Sequence, residues 1–125
     1  MKRIIVALAF LTTIGTFQVP IASVSAQESG GYYATVATAA NAYGLDPDYM
    51  WRIVGCETAG TYALDIWGQH GEYGPFQFME GTFYSFATMS GLGGSWQDPY
   101  AQAWVAAWAF SRGYGPQHWS CYWLV

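Results

Sequence analysis

One carboxylate in this chain stands where a carboxylate is expensive. Along Met50-Trp51-Arg52-Ile53-Val54-Gly55-Cys56-Glu57, the residues Met50, Ile53, Val54 and Glu57 fall at i, i+3, i+4 and i+7. That spacing lines one face of a helix, so Glu57 ends an otherwise apolar stripe. Burying an ionised carboxylate is costly, and such a group responds by raising its pKa. Gly60 is placed to end the helix, which puts Glu57 near the negative end of the helix dipole and disfavours its charge further. Both effects predict a proton donor near neutral pH. A glutamate chosen at random faces solvent; the apolar stripe singles this one out.

Other chemistries find little to work with. Neither His70 nor His118 accompanies a nucleophile in a Gly-x-Ser-x-Gly turn, and no glycine pattern is followed by Lys-Ser/Thr to cradle phosphate. The two histidines and two cysteines have no zinc-type spacing, so no metal and no cofactor are expected. What remains is an acid on an apolar face, a Gly-rich loop carrying more acids, and many aromatic residues. Glycoside cleavage needs that set: a raised-pKa acid to protonate the leaving oxygen, and aromatic faces to pack on sugars.

The elements that must position Glu57 are legible around it. An Ala-rich stretch over 32–43 before Gly44 predicts a first helix. Asp46-Pro47 supplies an N-cap and an N1 proline for the second, running to about Glu57. Residues 58–75, with Gly60, Gly68, Gly71 and Gly74, read as a loop with a small hairpin, in which Asp65, His70 and Glu72 are the titratable members. Gly74-Pro75 predicts a turn into an extended 76–78, with Phe76 and Phe78 inward and Gln77 outward. A third helix is expected over 79–88. Asp98-Pro99 repeats the cap-plus-proline opening of a helix to about Arg112, apolar nearly all round and therefore buried, with Trp104, Trp108 and Phe110 in the core. Residues 117–121 read as a short tail.

The chain begins Met1-Lys2-Arg3, continues with an apolar run, and reaches Val24-Ser25-Ala26, a small-x-small pattern. Residues 1–26 are read as a secretory signal and 27–125 as one mature domain, located outside the cytoplasmic membrane in periplasm or cell wall. An uncleaved anchor is the rival reading, weakened by Thr12, Thr13, Gly15, Gln18 and Pro20. Loss of Lys2 and Arg3 leaves Arg52 and Arg112 against eight acids, which argues against nucleic-acid or anionic-membrane partners. Aromatic residues make up 19% of the chain and only Phe10 and Phe17 fall in the signal, so they must fill a core, line a groove, or both. In an oxidising compartment Cys56 and Cys121 are most simply one disulfide, stabilising the domain by roughly 4 kcal/mol and tying the tail beside Glu57. A catalytic thiol is the weaker alternative.

Three blocks resemble a known family. Cys56-Glu57-Thr58-Ala59-Gly60-Thr61-Tyr62 is similar to the Cys-Glu-Ser/Ala-Gly-Gly-Asn-Trp stretch of resuscitation-promoting factors, and 73–83 resembles their Tyr-Gly-Gly-Leu-Gln-Phe…Thr-Trp stretch. The late helix followed by Trp119 and Cys121 matches in order, and Gly74-Pro75-Phe76-Gln77-Phe78-Met79 is equally similar to lytic transglycosylases. The resemblance spans roughly residues 45–121. It implies an α+β, mainly α, small lysozyme-like domain with a short hairpin or loop beside the catalytic helix and one disulfide, Cys56–Cys121. It also implies a secreted, peptidoglycan-cleaving enzyme, lytic-transglycosylase-like or a muramidase, in which Glu57 is the single general acid/base at the MurNAc-GlcNAc bond; the sequence does not choose between an anhydro and a hydrolysed product. Gln77 matches the family's groove glutamine, and Tyr73 and Trp119 its groove aromatics. The sequence departs in a longer loop, Ile66-Trp67-Gly68-Gln69-His70, and in Pro75 where resuscitation factors carry Gly.

Within that reading, Tyr62 and Trp67 are the loop aromatics expected to stack on sugar. Asp65 and Glu72 are candidate second acids, though a loop cap for Asp65 and a solvated carboxylate for Glu72 are the plainer expectations. The partner is the peptidoglycan glycan strand, bound by a monomer. The acidic surface lacks attraction for an anionic wall, which suggests a wall-associated protein partner for targeting. A non-catalytic glycan-binding module that keeps the groove is the alternative function.

Overall fold

The computed structural model describes residues 30–125. The signal expected over 1–26 lies outside the described residues, as do residues 27–29. Helix α1, Gly30–Ala42, starts two residues before the stretch expected from composition. It buries Tyr32, Val36, Ala39 and Ala40 at i, i+4, i+7 and i+8. The chain then reverses at Gly44 (φ 70°) into α2, Pro47–Glu57. Asp46 caps α2 by accepting the Asp48 N–H at 2.9 Å, with Pro47 in the first turn. Such a cap contributes about 1 kcal/mol. Met50, Ile53 and Val54 are buried against the core, leaving Glu57 at the C-terminal end of the same stripe.

Helix α3, Glu80–Ser90, packs Phe83, Phe86 and Ala87 inward and closes at Gly91 (φ 72°). Helix α4, Pro99–Ser111, is the hub: α1 and α3 both pack on it. Its Ala103, Val105, Ala106, Ala107 and Ala109 are essentially inaccessible, and the small side chains let neighbouring helices approach. Asp98 caps α4 as Asp46 caps α2, accepting the Tyr100 N–H at 2.9 Å. The expected plain tail is instead a short helix α5, Gly115–His118, followed by a 3₁₀ turn, Ser120–Trp123, packed on α2. Pro116 in its first turn is the local reason. Cys56 and Cys121 are joined, with their Cα atoms 5.9 Å apart.

The expectation of an α+β, lysozyme-like domain with a hairpin is overturned. The described residues form an almost purely helical domain with no sheet, and the mixed architecture implied by the lytic transglycosylase resemblance is absent from them. Between α2 and α3 there are two isolated bridges, Trp67 with Tyr73 and Tyr73 with Phe78. Neither can grow into a ladder, because Gly71 (φ 90°), Gly74 (φ 84°) and Gln77 (φ 48°) bend the chain next to the paired residues. The stretch expected to be extended at 76–78 belongs to a tight turn, closed by reciprocal bonds of 3.0 and 3.1 Å between Tyr73 and Phe78. Among the described residues no helix is long and apolar enough to cross a membrane.

Candidate active site

Helix α2 stops just after Glu57 by a mechanism that fixes the residue in place. The Gly60 N–H bonds to Gly55 O at 2.7 Å and the Ala59 N–H to Cys56 O at 3.2 Å, with Ala59 left-handed at φ 53°. This is a Schellman closure with alanine where glycine is usual. Thr58, fully buried, donates its hydroxyl to Val54 O at 2.8 Å and accepts the Tyr62 N–H at 2.9 Å. The chain on both sides of Glu57 is therefore held by hydrogen bonds.

Glu57 lies in a cleft of about 670 Å³. One side is built by Glu57, Thr58 and Ala59, another by the loop 66–72 and Gln77, and the third by the tail 116–120. Neither Arg52 nor Arg112 lines it; its ionisable side chains are Glu57, Glu72, His70 and His118. Burial pushes the Glu57 carboxyl above its ordinary value; the Cys121 N–H, donating to Oε1 at 3.4 Å, opposes that rise, and the Glu72 charge adds to it. Glu72 moves the other way. The His70 N–H donates to its Oε2 at 2.9 Å and holds its carboxyl below the ordinary value, helped by its own N–H and by the His70 ring 3.4 Å away.

The cleft gathers some of the residues singled out by sequence and leaves others outside. Gln77 lines it from a left-handed position; its amide nitrogen donates to Gly74 O at 2.8 Å and Ile66 O at 3.1 Å. With both amide protons committed, Oε1 is the atom left to meet a ligand. Trp67 lies on the rim, 57% exposed, braced edge-on by Tyr73 and Trp96 at 4.8 and 5.7 Å between ring centres. Trp119 is wall and core at once: it borders the cleft, is 3% exposed, and donates its indole N–H to Phe76 O at 2.8 Å. Tyr73 and Tyr62 do not line the cleft. Tyr73 braces Trp67, and Tyr62 stacks on Trp51 at 4.7 Å. Of the two candidate second acids, Glu72 lines the cleft, whereas Asp65 is exposed and outside it.

Two contributors escaped the sequence reading. Gln102, 0% exposed, donates to Tyr73 O and Trp96 O at 2.8 Å each and accepts the Phe76 N–H at 3.2 Å, so it pins the cleft loop onto α4. A single amide inside an alanine-rich buried helix was the available signal. The other is the pair Gln117 and His118, which α5 presents to the cleft; the bridge was expected to bring the tail beside Glu57, but these two side chains carried no signal of their own. No family model, curated protein or solved structure matches the chain, so function has to be read from the cleft itself.

Proposed function

We propose that this protein is a muralytic enzyme that acts outside the cytoplasmic membrane and cleaves the glycan strand of peptidoglycan, with Glu57 as general acid/base. The observation that carries the reading is a half-buried carboxyl with a raised pKa, held rigidly at the wall of an open cleft. Binding alone has no use for a desolvated acid. Protonation of a glycosidic oxygen does, and a positioned acid contributes about 10²–10⁴-fold to rate. Glu57 passes its proton to the bridging oxygen as the C1–O bond breaks, then recovers a proton from the group that adds to C1. Gln77 Oε1 is set to accept from a sugar hydroxyl or N-acetyl N–H, and the Trp67 face to stack on a sugar ring. The choice of peptidoglycan rests on the sequence blocks around Glu57 and Gln77.

The test is a zymogram on cell-wall material with the mature, oxidised protein beside Glu57→Gln. Clearing by the wild type and loss of clearing in the variant is expected. Equal clearing by both would refute the role of Glu57. Retained wall binding with no clearing from either would make the domain a glycan-binding module.

A further inference from the structure

We propose that Glu72 is a second catalytic carboxylate, and that the bond is cut by hydrolysis, not by closure of an anhydro ring. This rests on the reading of Glu57 as the acid and deepens it. Glu72 and Glu57 line one cleft from different elements, the loop and the end of α2. Glu72 also borders a smaller adjoining cavity of about 180 Å³, shared with Gln77, Thr82 and Trp119, so it stands where two compartments of the groove meet. Its carboxylate is oriented by the chain: the His70 N–H holds Oε2 and the His70 ring flanks Oε1. Gly68 has no side chain, and that absence makes room. A Cβ there would overlap both Glu72 Oε2 and Gln77 Oε1, which places these two acceptors side by side at one spot on the wall.

The two carboxyls are also driven apart in acidity, Glu57 upward by burial and Glu72 downward by its donors. Over a range of pH between them, one is a proton donor while the other is an anion, which is the division of labour that glycoside hydrolysis requires. The Glu57 proton goes to the glycosidic oxygen as its bond to C1 breaks. Positive charge spreads over C1 and the ring oxygen, and the Glu72 anion stabilises it. A water oxygen then bonds to C1, its proton returns to Glu57, and one water is consumed per bond cut. A cleft with a single acid must use the substrate's own groups to quench that cation; an anion on the wall removes the need.

The experiment digests purified peptidoglycan with the mature, disulfide-bonded protein and weighs the released muropeptides by mass spectrometry. It pairs this with kcat and KM of Glu72→Gln on a soluble glycan fragment. Expected are products ending in an ordinary reducing sugar, one water heavier than the anhydro form, and a kcat loss of about 10²–10⁴-fold with KM changed by less than about threefold. Anhydro ends from the wild type overturn the inference and leave Glu57 standing; an unchanged kcat in a folded Glu72→Gln does the same. No product from the wild type overturns both readings. The product mass needs no variant, so it can overturn the inference even where Glu72→Gln does not fold.

Discussion

The backbone N–H of Cys121 donates to Glu57 Oε1 at 3.4 Å, and Cys121 is disulfide-bonded to Cys56, the residue preceding that acid. One residue thus supplies both the covalent clip on α2 and the only protein N–H that reaches the Glu57 carboxyl among the described residues. The donor would lower the carboxyl's pKa, but at this length it is weak, and burial outweighs it. The tail wall that helps bury Glu57 is held by the same bridge.

Replacing both Cys56 and Cys121 by serine should therefore cost roughly 2–5 kcal/mol of unfolding free energy, read from urea melts. Activity should suffer beyond that. At temperatures where the variant is still folded by circular dichroism, wall clearing should fall at least about tenfold, because the 116–120 wall is no longer clipped to α2. Full clearing by a folded double-serine variant would show that the tail is dispensable.

The stability of the fold should carry the signature of Glu57. Its pKa is raised on folding, so its contribution is fully present below the ordinary glutamate pKa and is lost as pH rises through the raised value. Glu57→Gln keeps the shape without the charge. The variant and the wild type should have equal urea midpoints near about pH 4, and the variant should be the more stable near about pH 8. His70 and His118 face the same cleft and are common to both proteins, whereas the Glu72 charge adds to the rise in Glu57 and so enlarges the difference at high pH. Glu72 has the opposite sign, its contribution being lost as pH falls through its lowered value, outside this window. A midpoint difference that does not grow with pH would contradict the burial of Glu57.

Activity should follow the same two groups. In the proposed mechanism Glu57 carries its proton and Glu72 is an anion, so turnover should decline on the alkaline side at a pH above the ordinary glutamate value, and the acidic limb, set by Glu72, should lie below it. A pH profile of kcat/KM on soluble fragments reads both limbs. An alkaline limb at the free-glutamate value would remove the argument for Glu57.

Helix starts were legible in the chain because they are local. Asp46-Pro47 and Asp98-Pro99 bring their own donors' partners and a preset φ, and no distant residue is needed to interpret them. The stripe through Met50, Ile53 and Val54 was legible for the same reason, being one helix face. The stretch between α2 and α3 was not. Its bridges at Tyr73 are isolated because Gln77, a residue with no sequence mark of a left-handed conformation, bends the chain back. Its shape is imposed from outside, by Gln102 on α4 and by Trp96 and Trp119, whose indoles donate to Phe78 O and Phe76 O. That is also why the choice between Asp65 and Glu72 could not be made from spacing.

Gln102 gives that long-range control a measurable size. Gln102→Leu preserves approximate volume but leaves the Phe76 N–H and Trp96 O without a partner, while Tyr73 O keeps only the Phe78 N–H. Each buried group left unpaired costs about 1–3 kcal/mol, so a total of roughly 2–4 kcal/mol is expected after relaxation. In a domain of this size that lowers Tm by roughly 10–25 °C. A Tm within about 3 °C of wild type would mean that the loop does not depend on α4.

Gly68 separates the site from the fold most cleanly. Its φ is not left-handed, and the atoms a new Cβ would overlap are the far ends of Glu72 and Gln77, which can swing away, while Glu72 Cβ at 3.1 Å must yield slightly. Gly68→Ala should therefore cost only about 1–2 kcal/mol in urea melts. Turnover should drop further, by about 10²-fold, because both acceptors leave their places by about an ångström. Gly81→Ala is the matched control: it lies exposed in α3 with nothing within 4 Å of the added Cβ. That change should stabilise by about 0.5–1 kcal/mol and leave turnover untouched. If Gly68→Ala lost activity only in proportion to its stability, the pairing of Glu72 with Gln77 would have no part in the chemistry.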